Sequence, residues 1–224
     1  MIRSIIFDLD GTLLDRNKSL RKFLESQYER LRSNFSHIPK EDFASRFIQL
    51  DDNGYVWKDV VYQSLIKEFN ITKISWEALV EDYLNHFPSC CVPYPNLEKT
   101  LSTLKDHSIK LGIITNGKYP FQLNNIKALG IESYFDEILI SEQEGIKKPD
   151  PLIFQRALQR LNVTPEETMF VGDHLINDVG ASSQIGVKSV WKRNGSNESS
   201  CVADFVIDDL SEFLALNLSG PNPT

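Results

Sequence analysis

From residue 93 to about residue 208, short apolar runs alternate with segments of helical spacing, and this alternation limits the chain to very few folds. Leu111, Ile113 and Ile114 lie in a run from Ile109 to Thr115. Tyr119 to Leu129 has helical spacing and stops at Gly130, and Glu137 to Ser141 reads as a further strand. Asp150 followed by Pro151 marks a capped helix start, and Ile153, Phe154, Ala157, Leu158 and Leu161 fall on one face of that helix. Thr164-Pro165-Glu166-Glu167 reads as a capped single turn before a strand from Thr168 to Val171. A helix over 177–185, strands near 187–191 and 204–207, and a last helix over 209–217 complete the series. Repeated units of this kind build a mostly parallel sheet covered by helices on both faces, an α/β fold.

The first strand stands apart from the others. Ile2 to Phe7 is an apolar run that ends in Asp8-Leu9-Asp10-Gly11-Thr12. A buried strand that stops at an acidic residue and a glycine delivers a carboxylate to its C-terminal edge, where open α/β sheets bind ligands. Side chains alternate along a strand, so Asp8 and Asp10 start on the same side. Two carboxylates this close repel each other, which calls for a cation or a shared proton.

Residues 16–92 follow another pattern. Leu20, Phe23, Leu24, Tyr28 and Leu31 fall at helical spacing. So do Phe43, Phe47 and Leu50, then Val60, Val61, Leu65, Ile66 and Phe69, then Leu79, Tyr83 and Phe87. The segment reads as four amphipathic helices, an insert large enough for its own core. The expected organisation is a core of residues 1–15 and 93–217, an α-helical domain of residues 16–92, and a disordered tail over 218–224. Hinges are expected near Leu14–Lys18 and Pro88–Asn96, so that the insert can close over the sheet edge and exclude water.

Composition bounds the partners. The 224 residues carry a net charge of −7, which argues against a nucleic-acid polymer as ligand. No apolar run reaches the ~20 residues a membrane helix needs, and Asp8 interrupts the early run that a signal peptide would require. Cys90, Cys91 and Cys201 make no CxxC pair and read as packing residues of a reduced, cytoplasmic protein. A monomer or dimer is expected.

Polar residues sit at the ends of the core strands in chain order: Asp8 and Asp10, then Thr115-Asn116-Gly117, then Lys148 ahead of Pro149-Asp150-Pro151, then Gly172-Asp173 with Asn177-Asp178. A parallel sheet gathers such ends at one edge. In these four motifs, over residues 1–15 and 93–208, the chain resembles the haloacid dehalogenase superfamily hydrolases that carry a helical cap after the first strand. The resemblance implies a Rossmann-like core, Mg²⁺ dependence, and hydrolysis of a small phosphorylated metabolite through an aspartyl-phosphate.

On that resemblance Asp8 is the nucleophile, and Asp10 is the general acid for the leaving alkoxide and then the base for water. Thr12 is expected to hydrogen bond to Asp10. Thr115 and the backbone N–H of Asn116 grip phosphoryl oxygens, and Lys148, rather than its neighbour Lys147, neutralises charge. Asp8, the main-chain carbonyl of Asp10 and Asp173 hold the metal, while Asp178 orients Lys148 or a water on the metal. Asp10 favours phosphoester chemistry over dehalogenation, which has no alkoxide to protonate. A sugar-phosphate mutase of the same fold, or a non-catalytic binding or regulatory member, are the alternatives.

Two positions depart from the pattern. Asn96 stands in Pro93-Tyr94-Pro95-Asn96 where many relatives have glycine, and a left-handed turn is expected there because Asn tolerates one. Gly180 falls one place early in the helix after Asp178. In the insert, Phe43, Arg46, Phe47, Tyr55, Trp57 and Lys58 flank the loop Asp51-Asp52-Asn53-Gly54. Phe43 and Phe47 read as helical-domain core rather than as substrate contacts.

Overall fold

The computed structural model describes residues 1–195 and 203–215. The chain divides into two compact units, one of residues 1–16 and 92–224 and one of residues 17–91. Cys201, the end of the expected 209–217 helix and the expected tail over 218–224 lie outside the described residues.

The helical unit is built from α1 (Arg16–Arg30), a short α2 (Arg32–Phe35), α3 (Lys40–Asp51), α4 (Lys58–Glu68) and α5 (Trp76–His86). Its core is aromatic. Phe35 stacks on Phe43 at 4.6 Å, Phe47 meets Tyr62 edge-on at 5.3 Å, and Phe23 meets Tyr83 at 5.0 Å. Phe43 and Phe47 are fully buried in that core. One polar chain crosses it: Tyr62 Oη donates to Gln27 Oε1 at 2.8 Å, and Gln27 Nε2 donates to Asp82 Oδ2 at 2.9 Å. Lys58 and Asp51 form a buried ion pair that ties the start of α4 to the end of α3. The turn between them carries left-handed Asp52 and Asn53.

The other unit holds a six-stranded parallel sheet in the order β3-β2-β1-β4-β5-β6. Its strands are β1 (Ser4–Phe7), β2 (Lys110–Thr115), β3 (Glu137–Ile140), β4 (Thr168–Gly172), β5 (Lys188–Lys192) and β6 (Phe205–Ile207). The helices are α6 (Leu97–Asp106), α7 (Phe121–Ala128), α8 (Ser141–Glu144), α9 (Pro151–Leu161) and α10 (Ala181–Gln184). Strand alternation sends neighbours to opposite faces. Ile6 packs with Phe154, Ala157 and Leu161 of α9 on one face. Phe7 lies 6.2 Å from Phe213 and 6.4 Å from Phe135 on the other. The α9 start is the expected one, with Asp150 accepting from Leu152 N and Pro151 in the first turn. The capping box at Thr164 and Glu167 is present as well.

Three local expectations need correction. The last helix is a 3-10 segment over Leu210–Ala215 where it is described. The helix after Asp173 starts earlier than expected and winds wider, as a π-helical segment over Leu175–Gly180 that passes into α10. Tyr119 and Pro120 precede α7 rather than belonging to it. Asn96 has φ 61° and ψ 9°, the left-handed turn its chemistry allows. No helix among the described residues is long and apolar enough to cross a membrane.

Candidate active site

The first strand lies between β2 and β4, so its C-terminal end is flanked by the ends of both. Such a position, with neighbouring connections leading away on opposite sides, is where open α/β sheets form a crevice. The backbone turns sharply there. Gly11 has φ 85°, and a Cβ on it would come within 2.1 Å of Asp173 Oδ2, so only glycine lets the β4 carboxylate approach the β1 turn. Gly172 does the same for the other acid, since a Cβ there would sit 2.4 Å from the Asp178 side chain.

Asp8 is buried, and both its oxygens have partners. Lys148 Nζ donates to Oδ1 at 2.6 Å, and Thr12 Oγ1 donates to Oδ2 at 3.2 Å. The expected Thr12–Asp10 bond is therefore replaced by a Thr12–Asp8 bond. The reason is local: Thr12 N, Leu13 N and Leu14 N all donate to Leu9 O, which curls the chain back and brings the hydroxyl over Asp8.

Lys148 also donates to Asp178 Oδ1 at 2.7 Å, and Asp178 Oδ2 accepts from His174 N at 3.0 Å. Lys148 is buried whereas Lys147 is exposed. The Asn116 side chain clamps the Lys148 backbone: its Oδ1 accepts from Lys148 N and its Nδ2 donates to Lys148 O, both at 2.9 Å. Thus the Asn116 amide places the lysine that reaches Asp8.

Asp173 stands beside this group. Oxygens of Asp8, Asp173 and Asp178 lie within 4.8 Å of one another, close enough to share a metal ion. Trp191 Nε1 donates to the Asp173 carbonyl at 2.9 Å. Asn194 Nδ2 bridges Gly11 O at 2.6 Å and Asp173 Oδ2 at 3.3 Å. Asp10 accepts at Oδ2 from Gln122 Nε2 at 2.6 Å, and the same nitrogen donates to Thr115 Oγ1 at 2.8 Å.

The electrostatics are those of too few cations for the carboxylates. Burial pushes the Asp8 carboxyl well above the usual range, and the Asp178 and Asp173 charges add to this against the pull of Lys148. Burial, with Asp178 and Asp10 beside it, raises Asp173 to about 7 despite Lys148 and Lys192. Burial alone would lower the Lys148 pKa, but Asp178 and Asp8 outweigh it and hold the ammonium charged. A hard-oxygen donor set with unbalanced negative charge fits a divalent cation of the Mg²⁺ type.

Sequence reasoning missed Gln122, Trp191 and Asn194. For Gln122 the sequence carried no signal: its burial, with Asn125 and Ile126 on the inward face of α7, follows only from where that helix packs.

The model of the family described as "Haloacid dehalogenase-like hydrolase" matches residues 5–192. The chain is 32% identical over 225 residues to a glyceraldehyde 3-phosphate phosphatase of Pyrococcus furiosus, covering 95% of this chain and 92% of that one. It is 38% identical over 243 residues to a glyceraldehyde 3-phosphate phosphatase of Methanopyrus kandleri, covering 96% of each. Among solved structures, a HAD phosphatase from Thermococcus onnurineus superposes with a TM-score of 0.70 at 30% identity, covering 96% of this chain and 97% of that one.

Proposed function

From the premise that the chain belongs to the haloacid dehalogenase-like hydrolases, we propose that it is a Mg²⁺-dependent phosphatase acting on a small phosphate monoester through a phosphoryl group carried on Asp8. The observation that carries this reading is the buried Asp8 carboxylate, bonded to Lys148 and Thr12 and grouped with Asp173 and Asp178.

Asp8 and Asp173, with the main-chain carbonyl of Asp10, would hold the ion, and Asp178 would act by orienting Lys148. When bound, Mg²⁺ supplies Lewis-acid neutralisation of charge on the phosphoryl oxygens. The chain's own residues do the rest. Asp8 is fixed by two hydrogen bonds, so it meets phosphorus in one orientation. Lys148 offsets the charge of the nucleophile and of the phosphoryl group. Thr115 and the backbone N–H of Asn116 bind phosphoryl oxygens. Asp10 hands a proton to the leaving oxygen and later takes one from the attacking water.

The names of the relatives make glyceraldehyde 3-phosphate the first substrate to try. The helical unit of residues 17–91 would supply substrate selection. The test is release of inorganic phosphate from p-nitrophenyl phosphate and from a panel of phosphorylated metabolites, with Mg²⁺ or with EDTA. Turnover that EDTA abolishes is expected. Absence of turnover on the whole panel with Mg²⁺ would overturn the reading in favour of a binding role.

A further inference from the structure

Gln122 is almost wholly buried, and its side chain meets both halves of the site. Its Nε2 lies 2.6 Å from Asp10 Oδ2, 2.8 Å from Thr115 Oγ1 and 3.3 Å from the main-chain oxygen of Asn116. Its Oε1 accepts from Asn125 Nδ2 at 3.1 Å, and Asn125 is fully buried too. The Asn116 carbonyl can only accept, so the amide nitrogen must be the atom that faces this group. That nitrogen has two hydrogens, and its two shortest contacts are Asp10 Oδ2 and Thr115 Oγ1.

Two consequences follow from donor and acceptor counting. Oδ2 of Asp10 accepts the Gln122 N–H, which leaves Oδ1 as the oxygen that exchanges a proton with the reacting atoms. Thr115 Oγ1 also accepts from Gln122, so its single hydroxyl hydrogen is left to donate elsewhere. We propose that Gln122, locked by Asn125, is a positioning residue that fixes the proton-donating oxygen of Asp10 and turns the Thr115 hydroxyl into a donor for a phosphoryl oxygen.

The proposal rests on the phosphatase reading and deepens it. In the transfer step an Asp8 oxygen forms a bond to phosphorus while the ester P–O bond breaks. The bonding pair stays on the leaving oxygen, which takes the proton from Asp10 Oδ1. The resulting Asp10 carboxylate remains held at Oδ2 by the Gln122 N–H. Water then attacks phosphorus, gives its proton to Asp10 and releases Asp8 and inorganic phosphate. A leaving oxygen of high proton affinity depends on this alignment, whereas p-nitrophenolate departs without help.

The experiment compares kcat/KM for phenyl phosphate and for p-nitrophenyl phosphate, because kcat/KM reports the transfer step rather than the later hydrolysis. Gln122→Met keeps the length of the side chain and removes both N–H donors. It is expected to lower phenyl phosphate turnover more, so that the ratio of the two kcat/KM values shifts by about tenfold. Asn125→Ser leaves Gln122 in place but removes the bond that fixes its amide, and is expected to shift the ratio in the same direction. A ratio unchanged in both variants overturns the proposal. A wild type that hydrolyses neither ester overturns the phosphatase reading instead. The Gln122 role is then decided by a crystal structure of Gln122→Met: Asp10 is expected to leave its present rotamer, and unmoved Asp10 and Thr115 side chains overturn the positioning role.

Discussion

Lys148 follows Asp8 by 140 residues, yet its ammonium stands 2.6 Å from Oδ1 of that carboxylate and 2.7 Å from Oδ1 of Asp178. One cation therefore compensates two buried anions, with a third, Asp173, close by. Negative charge therefore outweighs positive charge at the site, and several measurable behaviours result.

Asp8→Asn keeps the shape of the side chain and removes its charge. Phosphatase activity is expected to fall at least about a thousandfold, as for loss of a nucleophile. The melting temperature should hold or rise, because burial of the Asp8 charge is unfavourable and Lys148 keeps Asp178 as partner. Steady-state kinetics and thermal melting check both parts. Near-wild-type turnover by this variant would exclude Asp8 as the nucleophile.

Lys148→Met removes the cation and leaves its acidic neighbours uncompensated. Breaking a buried ion pair from one side costs about 3–5 kcal/mol. Chemical denaturation at pH 7.5 should show a loss of that order, and a smaller one at pH 5, where the Asp8 carboxyl, raised by its burial, takes up a proton more readily. An equal loss at both pH values would contradict the charge argument.

The Asp173 carboxyl is raised from 3.8 to about 7, mainly by burial and by Asp178. Its folded-state pKa exceeds its unfolded one, so the folded state binds the proton more tightly. Its contribution to stability is full below the unfolded value and is lost as pH rises through about 7. Asp8 acts in the same direction. Mg²⁺ competes with these protons, so the gain in melting temperature from Mg²⁺ over EDTA should be larger at pH 8 than at pH 5.5. Saturation at a hundred times Kd corresponds to about 2.7 kcal/mol. A gain independent of pH would argue that the ion binds elsewhere.

Trp191→Phe retains most of the ring and deletes the Nε1–H that bonds to the Asp173 carbonyl. The cost should be about 1–2 kcal/mol, that of leaving a part-buried carbonyl without its donor. Mg²⁺ affinity, read by calorimetry, should weaken, because the acid is no longer fixed at its backbone. Unchanged affinity would reduce Trp191 to a packing residue.

Much of this arrangement was legible in the chain because parallel sheets impose a simple rule: strand ends meet. That rule alone brings Asp8, Thr115 and Asp173 to one edge, and a Pro-marked helix start puts Lys148 beside them. Partner choice within a few ångströms was not legible. Thr12 can reach either acid on paper, and only the triple acceptance by Leu9 O decides for Asp8. Gln122 was hidden because a glutamine in a helix usually faces solvent, and its burial depends on where α7 lies against the β2 end. Asn194 follows β5, and nothing in the periodicity of that segment marks it as a neighbour of Asp173.

The position of the first strand also bears on how the chain is made. Ser4 lies opposite Lys110 on one side and Thr168 on the other, so the strand that ends at Asp8 leaves the ribosome long before either partner exists. At about 5–20 residues per second the wait is on the order of ten seconds. In that interval the sequence 17–91 is complete and has everything it needs to collapse on its own aromatic centre. That early collapse shortens the stretch of nascent polypeptide that stays sticky, and leaves the first strand and the turn after it, with Ile5, Ile6, Phe7, Leu9, Leu13 and Leu14, for chaperones to shield until the rest of the sheet arrives.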